Sequence, residues 1–149
     1  MKIKLNTRGS SMLKNQTITE SEYEYDENIC MQSVTDLYGR IVEVNEDMIQ
    51  ISGYSRAELV GSCHNIVRHP EMPDVAFEDL WKTLQAGNIW RGIVKNRCKN
   101  GDYFWIDETI TPVISNGKVT GYHSVQIKPS HRQIAIANGL YKHLHHSYG

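Results

Sequence analysis

The sequence predicts an α+β domain: one antiparallel sheet of five strands, with short helices gathered on one face. Three observations carry that expectation. Two β-branched runs, MQSVTD (31–36) and IVEVN (41–45), are joined by LYGR, a hairpin with Gly39 in the turn. Three longer strand segments follow late in the chain, NIWRGIVKNRC (88–98), YFWIDETITPVI (103–114) and KVTGYHSVQIK (118–128), separated by the turn signals KNGD and SNGK. Between the two groups lie capped helical segments.

Before the first strand, TESEYEYDEN (19–28) reads as a loose leader or short helical cap, and the opening MKIKLNTRGSSM resembles an expression scar. Asn45 precedes Glu46 and Asp47, a capping residue ahead of acids that suit a helix N-terminus, and Gly53 ends that helix. SRAELVG repeats the pattern, with Ser55 as cap, Glu58 completing a capping box and Gly61 as terminator. From Asp74 to Ala86, Val75, Ala76, Phe77, Leu80, Trp81 and Leu84 recur at helical spacing up to Gly87. After Ser130 an exit helix is expected, weakened by Gly139. The organisation expected is a tag remnant and leader over 1–27, a sensor-sized domain over 28–130 and an exit helix or linker over 131–149.

Composition narrows the function. The 149 residues carry 16 basic and 17 acidic side chains, so no basic face is available for reading duplex nucleic acid. No apolar run approaches the roughly 18 residues that cross a bilayer, and no secretory signal opens the chain, which predicts a soluble piece without direct membrane insertion. Cys30, Cys63 and Cys98 are odd in number and widely spaced, which argues against a disulfide framework or a zinc knuckle and fits a reducing cytoplasm. No nucleophile elbow, P-loop or catalytic carboxylate pair is present, so an enzyme is not expected.

The densest chemistry lies in HNIVRHPEMPDVAFEDLW (64–81). His64 and His69 are five residues apart without thiolates at ligand spacing, a poor metal site. Cys63 and His64, adjacent in an extended segment, would point to opposite sides. Pro70 and Pro73 stiffen the loop and hold His69 and Met72 extended. Arg68 and His69 then become donors for an anionic or polar ligand, the alternative being a surface pair of Arg68 with Glu71 or Asp74. Along YFWIDETI, Phe104, Ile106, Glu108 and Ile110 share one face, with Tyr103, Trp105, Asp107 and Thr109 on the other. Glu108 looks inward unless a bulge turns it out, and Tyr103 and Trp105 are candidates for an exposed partner surface.

The order of elements, with GYSRAELVG between the first hairpin and the long helix, resembles a PAS sensor domain over about residues 28–130. The stretches NIVRHPEMP and WRGIVKNRCKNGD sharpen the match to the flavin-binding PAS domain of bacterial aerotaxis receptors. The resemblance implies a cytoplasmic redox or oxygen sensor carrying non-covalent FAD. Its signal would pass to a chemoreceptor signalling or HAMP-type region outside this sequence, with tethering to the inner membrane through a full-length receptor and a homodimer both left open. It also implies a cofactor-binding set of Asn45, His64, Arg68, His69, Glu71, Phe77, Trp81, Trp90, Asn96, Glu108 and Gln126. Glu71 stands where the family has Asp, and Glu108 where it has a small residue. Asn96 suits the uracil-like edge of a flavin. Gln126 stands where light-oxygen-voltage domains carry a ring-facing glutamine, while their reactive cysteine is matched by His64, which removes cysteinyl photochemistry. Heme through one histidine, or a PAS module with another small ligand or none, is the alternative.

Overall fold

A computed structural model describes residues 17–148, so the scar-like opening lies outside the described residues. The strands are β1 Met31–Asp36, β2 Ile41–Val44, β3 Trp90–Arg97, β4 Tyr103–Ser115 and β5 Lys118–Ile127. They form one antiparallel sheet in the order β2-β1-β5-β4-β3. Between β2 and β3 come α1 Glu46–Ser52, α2 Arg56–Leu59, a 3₁₀ turn His64–Val67 and α3 Asp74–Gln85, and α4 His131–Tyr148 follows the sheet.

Local chemistry explains the element ends. Asn45 accepts from the Met48 backbone N–H and opens α1, and Gly53 closes it in the left-handed region at φ 78°. Ser55 and Glu58 make the reciprocal capping box of α2. Asn116 and Gly117 both take positive φ, 51° and 76°, as a two-residue hairpin between β4 and β5 requires. In KNGD the expectation holds only for Gly101, at φ 101°, because that turn closes with Gly101 N–H on Cys98 O and Asn100 stays at negative φ.

Inward residues of β1, β4 and β5 alternate with outward ones, and Met31, Phe104 and Ile106 meet Met48, Leu59 and Val67 in the core. The bulge in β4 falls between Val113 and Ile114, well past Glu108, whose register with Gln126 and Gly92 is regular.

The leader is neither loose nor helical. The β5 ladder on β4 begins at Asp107, leaving the backbone of 103–106 open on that side. The leader fills it: Glu22 bridges Tyr103 in parallel, Tyr23 N–H donates to Tyr103 O at 2.7 Å, and Tyr25 OH donates to Trp105 O at 2.6 Å. The helix α4 packs on β3, its Ala137 is buried, and Tyr141 OH donates to Ile93 O. The exposed aromatic surface expected at Tyr103 and Trp105 is therefore absent. Trp105 is buried, and the half-buried Tyr103 ring lies under the Lys95 ammonium at 4.4 Å. Alternation fixed which face these rings occupy, and the leader, 80 residues before Trp105, is what reaches them. Gly139 sits inside α4 without ending it, because the helix is held by tertiary packing beyond its own propensity.

Candidate functional site

Between the inner face of the sheet and the 64–81 segment lies a cavity of about 80 Å³ that opens to solvent at its mouth. Apolar walls come from Val67, Leu80, Leu84, Val94 and Ile110, with Trp81 and Tyr122 meeting edge to face at 5.8 Å. A few polar groups interrupt them: Thr35, His64, Asn65, Arg68, Asn96, Glu108 and Ser124. An apolar cleft with sparse, fixed polar groups is the usual form of a small-molecule site.

Arg68 is placed by backbone pairing. Residue 68 bridges Asn96 on the free edge of β3, and His69 N–H donates to Lys95 O at 3.3 Å, so the pre-proline stretch acts as a short extra strand. The guanidinium is buried, stacks 4.0 Å over the Phe77 ring and pairs with Asp74 at 2.5 Å. Burial pulls its pKa down while Asp74 pulls it up. The pairing with Asp74 considered from sequence thus exists, but with the arginine buried at the cavity wall. Its Nε has no hydrogen-bond partner among the described residues.

His64 lines the cavity with Nε2 at 3.1 Å from Ser33 Oγ. Cys63 also lines it, against the expectation of opposite sides, because the backbone enters the 3₁₀ turn at His64 and leaves extended geometry. Cys98 is a separate, structural thiol: Sγ donates to Ile51 O, and burial pushes its pKa up to about 11.

Of the sequence-derived set, His64, Arg68, Phe77, Trp81, Asn96 and Glu108 line the cavity. Gln126 is fully buried and does not itself line the cavity, donating from Nε2 to Oε2 of the lining residue Glu108 at 2.9 Å. Four residues lie elsewhere. Alternation along the extra strand sends His69 to the outer side, edge-on to Tyr103, where Nδ1 accepts from Glu71 N–H. Burial and the Lys95 charge push the His69 pKa down to about 4. Glu71 pairs with Lys95 at 2.6 Å on that side, and its carboxyl is held below the usual range by that ammonium. Asn45 is occupied structurally: Oδ1 accepts from Gln32 and Met48 N–H, and Nδ2 donates to Cys30 O. Trp90 lies over Gly92 and donates from Nε1 to Asp79 at 3.0 Å, outside the lining. Ser124 and Tyr122 were missed, although period two from Gln126 places both on the inward face.

Two buried amide atoms at this site have no partner among the described residues: Asn96 Nδ2, a donor, and Gln126 Oε1, an acceptor. Buried amide groups are ordinarily satisfied. An unpaired donor and an unpaired acceptor are the kinds of group that the alternating edge of a planar heteroaromatic ligand pairs with, so in chemical kind the set fits a flavin. Among the described residues no group of His, Cys, Asp or Glu is arranged to hold a metal ion, and no helix is long and apolar enough to cross a membrane.

A five-stranded antiparallel sheet whose helices close a cavity against its inner face defines the class, and the family model described as PAS fold matches residues 41–126. The chain belongs to the PAS-fold family. More particularly, it is a PAS sensor domain homologous to signalling proteins. It is 42% identical over 127 residues to the aerotaxis receptor of Escherichia coli (strain K12), covering 85% of this chain and 25% of that protein. It is 27% identical over 113 residues to a nitrogen fixation regulatory protein of Klebsiella pneumoniae, covering 75% of this chain and 22% of the relative. The chain thus spans a quarter or less of these curated relatives. Among solved structures, a light-oxygen-voltage domain studied with a flavin analogue superposes with a TM-score of 0.66 at 24% identity, covering 76% of this chain and 87% of its own. The PAS domain of a protein from Colwellia psychrerythraea gives 0.62 at 22%, covering 68% and 86%. At these identities the likeness concerns the fold.

Proposed function

We propose that residues 28–130 form a sensor that binds FAD non-covalently in the cavity and reports redox or oxygen status to a chemotaxis output region. One observation carries the reading: the apolar cavity is lined by Asn96, whose buried Nδ2 donor is unpaired, and by Glu108, and the Gln126 held by that Glu108 keeps a buried unpaired acceptor, Oε1. The relation to an aerotaxis receptor supports an aerotaxis output. Asn96 and Gln126 would hold the ring edge, Phe77 and Trp81 its faces or the mouth, and Arg68 an anionic portion of the molecule. When bound, the flavin supplies reversible electron transfer, and the protein responds through the hydrogen bonds at Asn96 and Gln126, biasing two packings of the sheet.

This domain binds and signals without turnover. Its partner is a chemoreceptor signalling or HAMP-type region, or a second copy of the chain, and its setting is the cytoplasm, tethered to the inner membrane where the full receptor is. Heme is less well supported: the cavity-facing His64 has Nε2 engaged by Ser33, and His69 faces away.

The test is the visible spectrum of the freshly purified protein, with the released chromophore identified by mass spectrometry. Flavin bands that bleach reversibly and release FAD support the proposal. A Soret band would replace FAD by heme, and a colourless protein that refuses added FAD would leave a PAS module for another ligand.

A further inference from the structure

Glu108 is a buried carboxylate that lines the cavity, and no Lys, Arg or His pairs with it among the described residues. Its Oε2 instead accepts from Ser124 Oγ at 2.6 Å and from Gln126 Nε2 at 2.9 Å, and Gln126 Nε2 lies 3.1 Å from Ser124 Oγ. Three side chains thus form a closed cluster on the inward face of adjacent strands, with Glu108 and Gln126 direct cross-strand partners.

The cluster decides which way the Gln126 amide points. Oε2 already receives a hydroxyl proton and can only accept, so the amide atom beside it has to be the nitrogen. On the other flank Gln126 faces Met31 of β1, whose thioether has no proton to donate. The carbonyl Oε1 is therefore left as a buried acceptor without a donor. A free glutamine offers either end of its amide; this one, buried against the lining residues Glu108 and Ser124, is held with its acceptor end alone unpaired.

We propose that Glu108 is a positioning residue that fixes Gln126 as a one-way acceptor, so that the site favours the ligand form presenting an N–H there over the form presenting a bare nitrogen lone pair. On the flavin reading, on which this inference rests, the favoured form is the reduced one. The oxidised isoalloxazine offers unprotonated ring nitrogens where the reduced ring carries N–H. A site that binds one redox form more tightly stabilises it by the ratio of the two affinities. The carboxylate charge acts on the same ratio directly, so a single substitution does not isolate the positioning effect, and a double-mutant cycle does.

The experiment uses the full 149-residue chain. Affinities for oxidised and for reduced FAD are measured anaerobically in the parent, Glu108→Gln, Gln126→Leu and the double variant. Glu108→Gln preserves shape and removes the obligate acceptor, freeing the Gln126 amide to turn. The expected result is a reduced-to-oxidised affinity ratio that falls about tenfold on Glu108→Gln when Gln126 is present, with less than about twofold coupling-free change when it is Leu. Equal changes in both backgrounds would mean that Glu108 acts by charge alone and would overturn the proposal while leaving FAD binding intact. A second readout needs no FAD: the Gln126 side-chain amide protons, followed by ¹⁵N NMR, are expected downfield and slow to exchange in the parent and shifted toward free-amide values in Glu108→Ala. Unchanged resonances in that variant would refute the clamp. A chain that takes up neither form of FAD would instead overturn the flavin reading, and this inference with it.

Discussion

Replacing Gly92 by alanine tests how the wall between α3 and the sheet is built. A methyl group on residue 92 would lie 2.4 and 2.6 Å from two carbons of the Trp90 ring and 3.2 Å from a third. Carbon atoms settle near 3.5–4.0 Å, so the indole has to retreat by about 1 Å or more. Its Nε1 bond to Asp79, now 3.0 Å, does not survive such a shift. Overpacking of this kind costs about 1–3 kcal/mol. The lost bond to a carboxylate adds roughly 1–2 kcal/mol, while exchanging glycine for alanine in a strand returns about 0.5–1 kcal/mol. The net expectation is a destabilisation of about 1–4.5 kcal/mol, read as a lower urea midpoint at unchanged slope, with altered tryptophan emission. Because the whole effect runs through one ring, Gly92→Ala added to Trp90→Leu should cost almost nothing further. A Gly92→Ala protein within about 0.5 kcal/mol of the parent, or a double variant whose costs simply add, would refute the packing argument.

Other predictions follow from single contacts. His69 is buried with its pKa pushed down to about 4, so the unfolded chain, titrating near 6.5, binds a proton that the folded one refuses. Its contribution is complete above about pH 6.5 and is lost as the pH falls toward 4; His69→Asn, whose side-chain oxygen replaces the acceptor Nδ1, should flatten stability against pH by roughly 2 kcal/mol across that window in urea titrations, and an unchanged slope would contradict it. Arg68→Lys keeps the charge but loses the stack on Phe77 and the Nη2 bond to Asp74, so FAD affinity should drop about tenfold in equilibrium titration; unchanged affinity would remove Arg68 from the site. Tyr25→Phe leaves the Trp105 carbonyl without its hydroxyl donor, and a loss of about 1 kcal/mol should come with faster amide exchange along the leader, whereas parent-like exchange would mean the leader is held elsewhere.

Much of this domain was legible in the sequence because its signals are short-range. The caps at Asn45 and Ser55, the turn at Asn116 and Gly117, and the inward alternation that turns Glu108 toward the core all depend on residues a few positions apart. The rule that separates neighbouring side chains in an extended segment also divides Arg68 from His69, and it places Ser124 beside Gln126. Tertiary structure decided what covers each face. The leader reaches Trp105, α4 docks on β3, residue 68 becomes an added edge strand by bridging Asn96, and Trp90 occupies the space Gly92 leaves. The clamp on Gln126 likewise exists only because β4 and β5 register Glu108 directly opposite it. Period and capping are properties of a few consecutive residues, whereas cover, register and the orientation of a buried amide depend on partners brought together only when distant segments pack.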